Sequence, residues 1–388
     1  MRGCFLLFCV IGFEALTLKA QPVIALEPTN QMVASGGTIY LSVVASGQTP
    51  VYQWIKDDAL IQGATNSVFT ITNAGTAHSG VYRAWVTNAG GMVFGFPARV
   101  TVDNTSLLGW GNNAGGQLGD GTYSNSTVPI RIATNVTTVA GGDSHSLYVR
   151  ADGTLWAMGL NNYGQLGIGS TVSTNLPVFV ASNALCTSAG LYHSLYVSTN
   201  GTLAAMGWNV FGQLGNGNNT DSSLPVLVGS NVVSVSAGAS HSLFIRTDGT
   251  LWAFGANYFG QLGNGTLVST NQPIFVASNV IASAAGYGHS LFIKSDKSLW
   301  AMGYNYFGQL GDGTLISTNR PTMVATNVTS VASGYGHSLY ITQNGVLWAM
   351  GDNYESQFGI AFPYSSSIPV RIAENTRMAA AGRYHSLF

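Results

Sequence analysis

The sequence predicts an all-β protein, a β-sandwich followed by a β-propeller, from three observations. Residues 21–103 alternate apolar and polar side chains, with turn signals at short intervals. From residue 104 to the end, 388, the chain repeats with a period of 48 residues. The composition agrees: 49 glycines and 11 prolines mark many tight turns, and 46% hydrophobic residues supply a core. At 388 residues there is room for two or three domains.

The first 20 residues read as a secretory signal peptide. Arg2 provides a positive start, residues 4–13 form a short apolar run, and Leu18-Lys19-Ala20 ends on a small residue. The run is too short to span a bilayer, and no later segment approaches about 20 apolar residues. The expectation is a secreted, extracellular or cell-envelope protein with no integral membrane segment once the signal is removed. Cys4 and Cys9 would leave with the signal, so Cys186 would stand alone and no intrachain disulfide would form. The residues before Cys9, Leu6-Leu7-Phe8, do not resemble a lipoprotein box.

Within 21–103, Gly37-Thr38-Ile39-Tyr40-Leu41-Ser42-Val43 and Tyr52-Gln53-Trp54-Ile55-Lys56 precede Ser79-Gly80-Val81-Tyr82 and Ala84-Trp85-Val86. This pattern resembles an immunoglobulin-like domain, with Trp54 at the core tryptophan and Tyr82 at the tyrosine corner. Val43 and Ala84 occupy the places of the inter-sheet cysteines, so packing alone must hold the sandwich. Cysteine-free versions are familiar in bacterial surface proteins, which makes spacer or adhesive module the implied role.

Beyond the sandwich, Gly-Gln-Leu-Gly begins at Gly116, Gly164, Gly212, Gly260 and Gly308, and returns as Ser356-Gln357-Phe358-Gly359. His-Ser-Leu begins at His145, His193, His241, His289, His337 and His385. Pro129, Pro177, Pro225, Pro273, Pro321 and Pro369 keep the same beat. One unit contains strands near 136–140, 145–150, 154–158 and 177–180, with Asp152-Gly153 as a tight hairpin turn. Proline suits an edge strand, where its missing N–H costs no ladder bond. Four short strands per unit make a propeller blade. Lys297 stands where the other complete units carry glycine, so strain or a different turn is expected there.

The pattern Gly-Thr-Leu-Trp-Ala-Met-Gly-x-Asn-x-x-Gly-Gln-Leu-Gly, with Ala-Gly-x-x-His-Ser-Leu upstream, resembles the regulator of chromosome condensation repeat over residues 107–388. The resemblance implies a β-propeller, usually of seven blades. Here the region opens with Leu107-Leu108-Gly109-Trp110-Gly111, the second arm of a hairpin, and stops at His385-Ser386-Leu387-Phe388, the first arm. Pairing these two ends would close a ring of six blades and remove two open sheet edges. A truncated seven-bladed chain is the alternative.

No catalytic residue, metal ligand set or cofactor motif emerges. Symmetry spreads the repeated histidines around the ring rather than converging them, and no His-x-x-x-His or paired-cysteine spacing accompanies them. A histidine hydrogen-bonding in the same turn of every blade is the expectation. Asn113, Asn161, Asn209, Asn257, Asn305 and Asn353 are expected to stabilise loops. Gly-Gln-Leu-Gly lacks the Lys-Ser/Thr of a phosphate loop. A net charge of −1, with 14 Lys+Arg spread over the chain, excludes a nucleic-acid surface.

Function on a repeat scaffold sits at the positions that vary. Near His-Ser-Leu stand Tyr192, Tyr287, Tyr335 and Tyr384, with Ser144 and Ser240 in other copies. Before the Gly-Gln-Leu-Gly box stand Tyr163, Phe211, Tyr258, Phe259, Tyr306, Phe307 and Tyr354, flanked by Trp208 and Tyr304. These thirteen aromatic residues are the candidate partner-binding site. The region is also similar to the secreted β-lactamase-inhibitor propellers, which implies protein recognition through such loops. The expected function is that of a secreted or cell-surface bacterial protein whose propeller loops form a non-catalytic protein-binding platform. The alternatives are a carbohydrate-binding adhesive module and, against the expected export and the missing basic tail, a guanine-nucleotide exchange factor.

Overall fold

A computed structural model of the chain describes residues 20–103, 105–361 and 363–388. The expected signal segment lies outside the described residues except for Ala20. The chain divides into two compact units, the second beginning at Thr105. Among the described residues no helix is long and apolar enough to cross a membrane.

The first unit is a sandwich whose larger sheet includes Gln31–Ala34, Val51–Lys56, Gly80–Asn88 and Ala98–Asp103. Ile39–Ser42 pairs with Val68–Ile71 in a smaller sheet. Trp54 is fully buried among Leu41, Val43, Ala84 and Val86. Its indole N–H donates to the Asn66 carbonyl at 2.9 Å, so the ring's one polar atom is satisfied inside the core. Tyr82 is buried too, and its hydroxyl donates to the His78 carbonyl four residues back, at 2.8 Å. Val43 and Ala84 pack at the would-be disulfide positions, with apolar contact in place of a bond.

The second unit contains five four-stranded antiparallel sheets. The first has strands Val136–Gly141, His145–Arg150, Leu155–Gly159 and Thr174–Ala181, hydrogen-bonded in sequence order. The middle strands are apolar because neighbouring sheets cover both their faces: Leu155, Ala157 and Met158 are buried, as are Leu147 and Val149. Pro177 lies in the fourth strand, which pairs only with the third, so no ladder bond is lost. Lys297 keeps the turn of its siblings. Its φ is +67°, close to +78° at Gly153, so the turn type is unchanged and lysine carries the strain.

The expected hairpin between the two ends is not formed. Among the described residues, Ser106–Gly111 pairs only with Ser126–Thr134, and Ala380–Ala381 pairs only with Ser386–Leu387. The two half-blades face each other across a cavity of about 310 Å³ lined by Leu107, Trp110, His385 and Leu387, among others. The last strand, Ser386–Leu387, has 2 residues where His145–Arg150 has 6, and both pair with Ala380–Ala381. Arg383 of the last half-blade is ion-paired to Asp143 of the first full blade at 3.0 Å. The ring therefore has five full blades, with the sixth position shared by two unjoined halves.

Candidate functional site

Antiparallel order dictates which loops share an end of the ring. The loop from first to second strand and the long loop from third to fourth emerge at one end. The hairpin between second and third strands emerges at the other. All thirteen candidate aromatics belong to the first two loop classes or flank them, so they lie at one end of the propeller.

The repeat motifs build the loops that carry them. Asn161 is fully buried; its Oδ1 accepts the Leu166 N–H at 2.9 Å and its Nδ2 donates to the carbonyls of Ser170 and Val172. Asn209, Asn257 and Asn305 accept from Leu214, Leu262 and Leu310 in the same way. The glutamine of the Gly-Gln-Leu-Gly box accepts the N–H of the aromatic two residues earlier. Tyr163, Phe211, Phe259 and Phe307 donate to Gln165, Gln213, Gln261 and Gln309 at 3.0–3.1 Å. Gly164 has φ +81°, and a Cβ there would lie 2.4 Å from Ser223 Cα in the next blade, so only glycine fits. The motif is thus a device for holding an aromatic residue at a fixed height above the blade.

The histidines do not bond within their own turns. His145, His193, His241 and His289 each place Nε2 2.9 Å from the Oγ of the serine in the next blade: Ser194, Ser242, Ser290 and Ser338. His337 reaches Ser386 at 3.0 Å. Each of Ser194, Ser242, Ser290 and Ser338 donates its own proton to the glutamine carbonyl of the preceding blade's loop, as Ser194 does to Gln165 at 2.7 Å. One hydroxyl proton cannot serve two bonds, so the histidine donates from Nε2, while its buried Nδ1 has no partner to hold a second proton. Burial holds the pKa down, to about 4 for His145 and His337 and about 3 for His193, His241 and His289. These histidines are seams between blades. His385, in the last half-blade, is exposed.

On the end face the aromatics form two chains. Tyr163, Tyr192, Trp208, Phe211 and Tyr258 touch in succession at ring-centroid distances of 5.1–6.0 Å. Phe259, Tyr304, Phe307 and Tyr306 form the second, at 4.7–6.2 Å. Closer to the axis, Tyr287 packs at a tilt against Tyr335 at 4.2 Å and Tyr335 against Tyr384 at 5.6 Å, with the Arg383 guanidinium over both Tyr335 and Tyr384. Tyr163, Tyr192, Trp208, Phe211, Tyr304, Phe307 and Tyr335 are half-buried and brace the loops. Tyr258, Tyr306 and Tyr354 project, at 58%, 67% and 74% exposure. Burial raises the Tyr304 and Tyr335 hydroxyl pKa values, so both stay protonated donors. At the centre lies a cavity of about 540 Å³ lined by residues 141–143, 189–191, 237–239, 285–287, 333–335 and 380–383.

Sequence reasoning passed over Asp143 and Arg383, which share this face, because neither recurs. It also passed over a second aromatic system at the opposite end. There Trp156, Trp252, Trp300 and Trp348 stack on Tyr148, Phe244, Phe292 and Tyr340. The signal was available: a cation six residues before the tryptophan in three units, Arg150, Arg246 and Lys294.

No curated protein sequence is similar enough to the chain to match it. Among solved structures, the propeller of yeast RCC1, Prp20, is similar with a TM-score of 0.64 at 21% identity, covering 73% of this chain and 77% of that one. Human WBSCR16 is similar with a TM-score of 0.64 at 20% identity, covering 94% of this chain and 87% of that one. At these identities the likeness establishes the fold. An immunoglobulin-domain family model matches residues 21–88. The model of the regulator of chromosome condensation (RCC1) repeat matches 106–149, 152–197, 200–245, 248–293 and 296–341, more than half of the sequence. With its repeated motifs accounted for as blade seams and loop anchors, the chain belongs to the regulator of chromosome condensation (RCC1) repeat family.

Proposed function

We propose that the end face carrying Tyr258, Tyr306 and Tyr354 is a non-catalytic docking platform for a protein partner, on a protein exported through its N-terminal segment. One observation carries the reading: three large, exposed tyrosines rise from loops whose backbones are pinned by buried asparagine and glutamine side chains. Pinned aromatics lose little entropy on binding, which is what interface anchors require. Prp20, the yeast propeller of this family, is bound by Kap60, and its binding to Gsp1p and histones has been described. A shared fold makes protein recognition a natural use of the loops, while the partner here must follow this chain's own face. That face offers aromatic area, with Arg383 already paired to Asp143 and Arg320 set against Gly265 of the neighbouring loop. It suits a mixed apolar–polar protein surface better than a highly charged one.

The test compares affinity capture by the full chain with capture by a Tyr258→Ser, Tyr306→Ser, Tyr354→Ser variant. A control variant, Arg150→Ser with Lys294→Ser, alters the opposite end. A partner lost by the triple variant and kept by the control supports the platform; a partner retained by the triple variant, or a triple variant that melts many degrees lower, refutes it. N-terminal sequencing of exported material tests the export reading: it should begin just after Ala20.

A further inference from the structure

The outer stack at the opposite end repeats in three blades with the same parts. A cation covers the tryptophan face: Arg150 over Trp156 at 4.8 Å, Arg246 over Trp252 at 4.4 Å, Lys294 over Trp300 at 4.5 Å. A hydroxyl also caps each indole N–H: Thr154, Thr250 and Ser298, at 2.8–2.9 Å. An aspartate sits two residues after each cation, at Asp152, Asp248 and Asp296. In the blade with strand Ala184–Ala189 the set is dismantled together: Ser198 replaces the cation and Ala204 the tryptophan.

The blade with strand Val328–Ser333 does something else. Trp348 and its stacking partner Tyr340 are kept, 6.2 Å apart. Thr342 replaces the cation, Asn344 the aspartate, and Val346 the capping hydroxyl. The tryptophan's face is uncovered, and its N–H has no partner among the described residues. Where the cation would lie, a cavity of about 530 Å³ opens, in the range of small-ligand sites. Trp348 lines it together with the amides of Asn327, Gln343 and Asn344 and with Thr342, whose hydroxyl already donates to Asn344 Oδ1 at 2.7 Å. Arg371, the cross-strand neighbour of Trp348, is ion-paired to Glu374 and does not line the cavity.

We propose that this cavity binds a neutral sugar residue, its C–H face on the Trp348 ring and one of its oxygens accepting the indole N–H. A ligand here must supply an apolar face, an acceptor and further hydroxyls for side-chain amides, and must need no counter-charge. An organic cation would satisfy the face, but it offers no acceptor to the indole, and the aspartate that accompanies every built-in cation is absent. A proline-rich strand would need a groove of several exposed rings; Tyr340 is only 5% exposed, leaving one.

The sibling blades supply variants with built-in precedent for folding. Thr342→Arg should refill the cavity as Arg150 and Arg246 fill theirs, and Val346→Thr should recap the indole N–H. The full-length protein is titrated with glucose, galactose, mannose and N-acetylglucosamine, following the Trp348 indole N–H resonance, with a proline-rich peptide and tetramethylammonium as comparison probes. At least one sugar should bind with a dissociation constant on the order of 1 mM. Thr342→Arg should weaken it at least about tenfold, and Val346→Thr by a few-fold. The proposal falls if no sugar shifts the resonance, if Thr342→Arg binds like the parent, or if only the peptide or the ammonium binds. The tyrosine-to-serine variant of the other end should bind sugar unchanged, so this outcome is independent of the protein-docking test.

Discussion

His193 and Ser242, 49 positions apart in the chain, meet across the seam between consecutive blades with Nε2 2.9 Å from Oγ. Ser242 also donates to the Gln213 carbonyl at 2.9 Å, so one buried hydroxyl ties its blade to two places on the blade before it. Ser242→Ala would leave the His193 N–H without its acceptor and the Gln213 carbonyl without this donor. We expect a loss of about 1–3 kcal/mol, read from chemical denaturation of the propeller. His193→Ala combined with Ser242→Ala should cost less than the sum of the two, because both remove one bond. Full additivity would show that the bond contributes nothing.

The same seams predict acid sensitivity. Burial lowers the folded-state pKa of five histidines to about 3–4, from about 6.5 in the unfolded chain. The unfolded state therefore binds protons that the folded state refuses. Stability is whole above about pH 6.5 and falls as pH drops through the window down to about 3–4. Each histidine adds a slope of about 1.4 kcal/mol per pH unit inside that window. Calorimetry from pH 7.5 to 5 should show the propeller transition falling steeply. The sandwich has a single histidine, the half-buried His78, against five buried ones in the propeller, and should shift much less. Parallel shifts of both transitions would contradict this.

Lys297 is a misfit that can be corrected. Its backbone sits at φ +67°, a region that costs a non-glycine residue about 1–2 kcal/mol. The siblings Gly153, Gly201, Gly249 and Gly345 occupy the same turn at φ +76° to +80°. Lys297→Gly should therefore stabilise the propeller by about 1 kcal/mol despite the extra freedom glycine gives the unfolded chain. A loss of stability would mean that the lysine side chain makes compensating contacts.

In the sandwich, packing has replaced the disulfide. Trp54→Ala should cost about 3–5 kcal/mol, since it empties a fully buried site and strands the Asn66 carbonyl. Reductant should leave the melting of this unit unchanged, because Val43 and Ala84 stand at the bridge positions and Cys186, in the propeller, is free. A reductant-dependent transition would point to an intermolecular bond.

How much of this was legible in the sequence depends on whether a residue's partner shares its period. The blade strands, the turn at Asp152-Gly153, the edge position of Pro177 and the core role of Trp54 follow from local pattern. The loop role of Asn161 was readable because its partners lie within 11 residues. The histidine seam was not, because Ser194 looks like half of the same His-Ser-Leu motif until the blades are set side by side. The uncovered face of Trp348 was hidden for a different reason: it is a departure from a pattern, cation then tryptophan, that the motif reading had not extracted. The end-to-end hairpin fails for a third reason. Matching hairpin arms establish complementarity of sequence, whereas the last strand spans only Ser386–Leu387, and both residues pair with Ala380–Ala381.

That last difference can be measured. In a full blade the third strand is bonded on both sides, Leu155–Gly159 to the second and to the fourth. Ser106–Gly111 is its counterpart, yet it is bonded only to Ser126–Thr134, and its other edge faces the cavity beside His385 and Leu387. Alternate amides between 106 and 111 should therefore exchange hydrogen far faster than their equivalents between 154 and 159. Equal protection would mean that the terminal halves do pair in solution. Removing residues 385–388 separates the two ideas further. It takes away Ser386, the partner of His337, and so should cost about 1–3 kcal/mol. It should leave exchange at 106–111 unchanged, because no ladder bond from those amides ends on the removed residues.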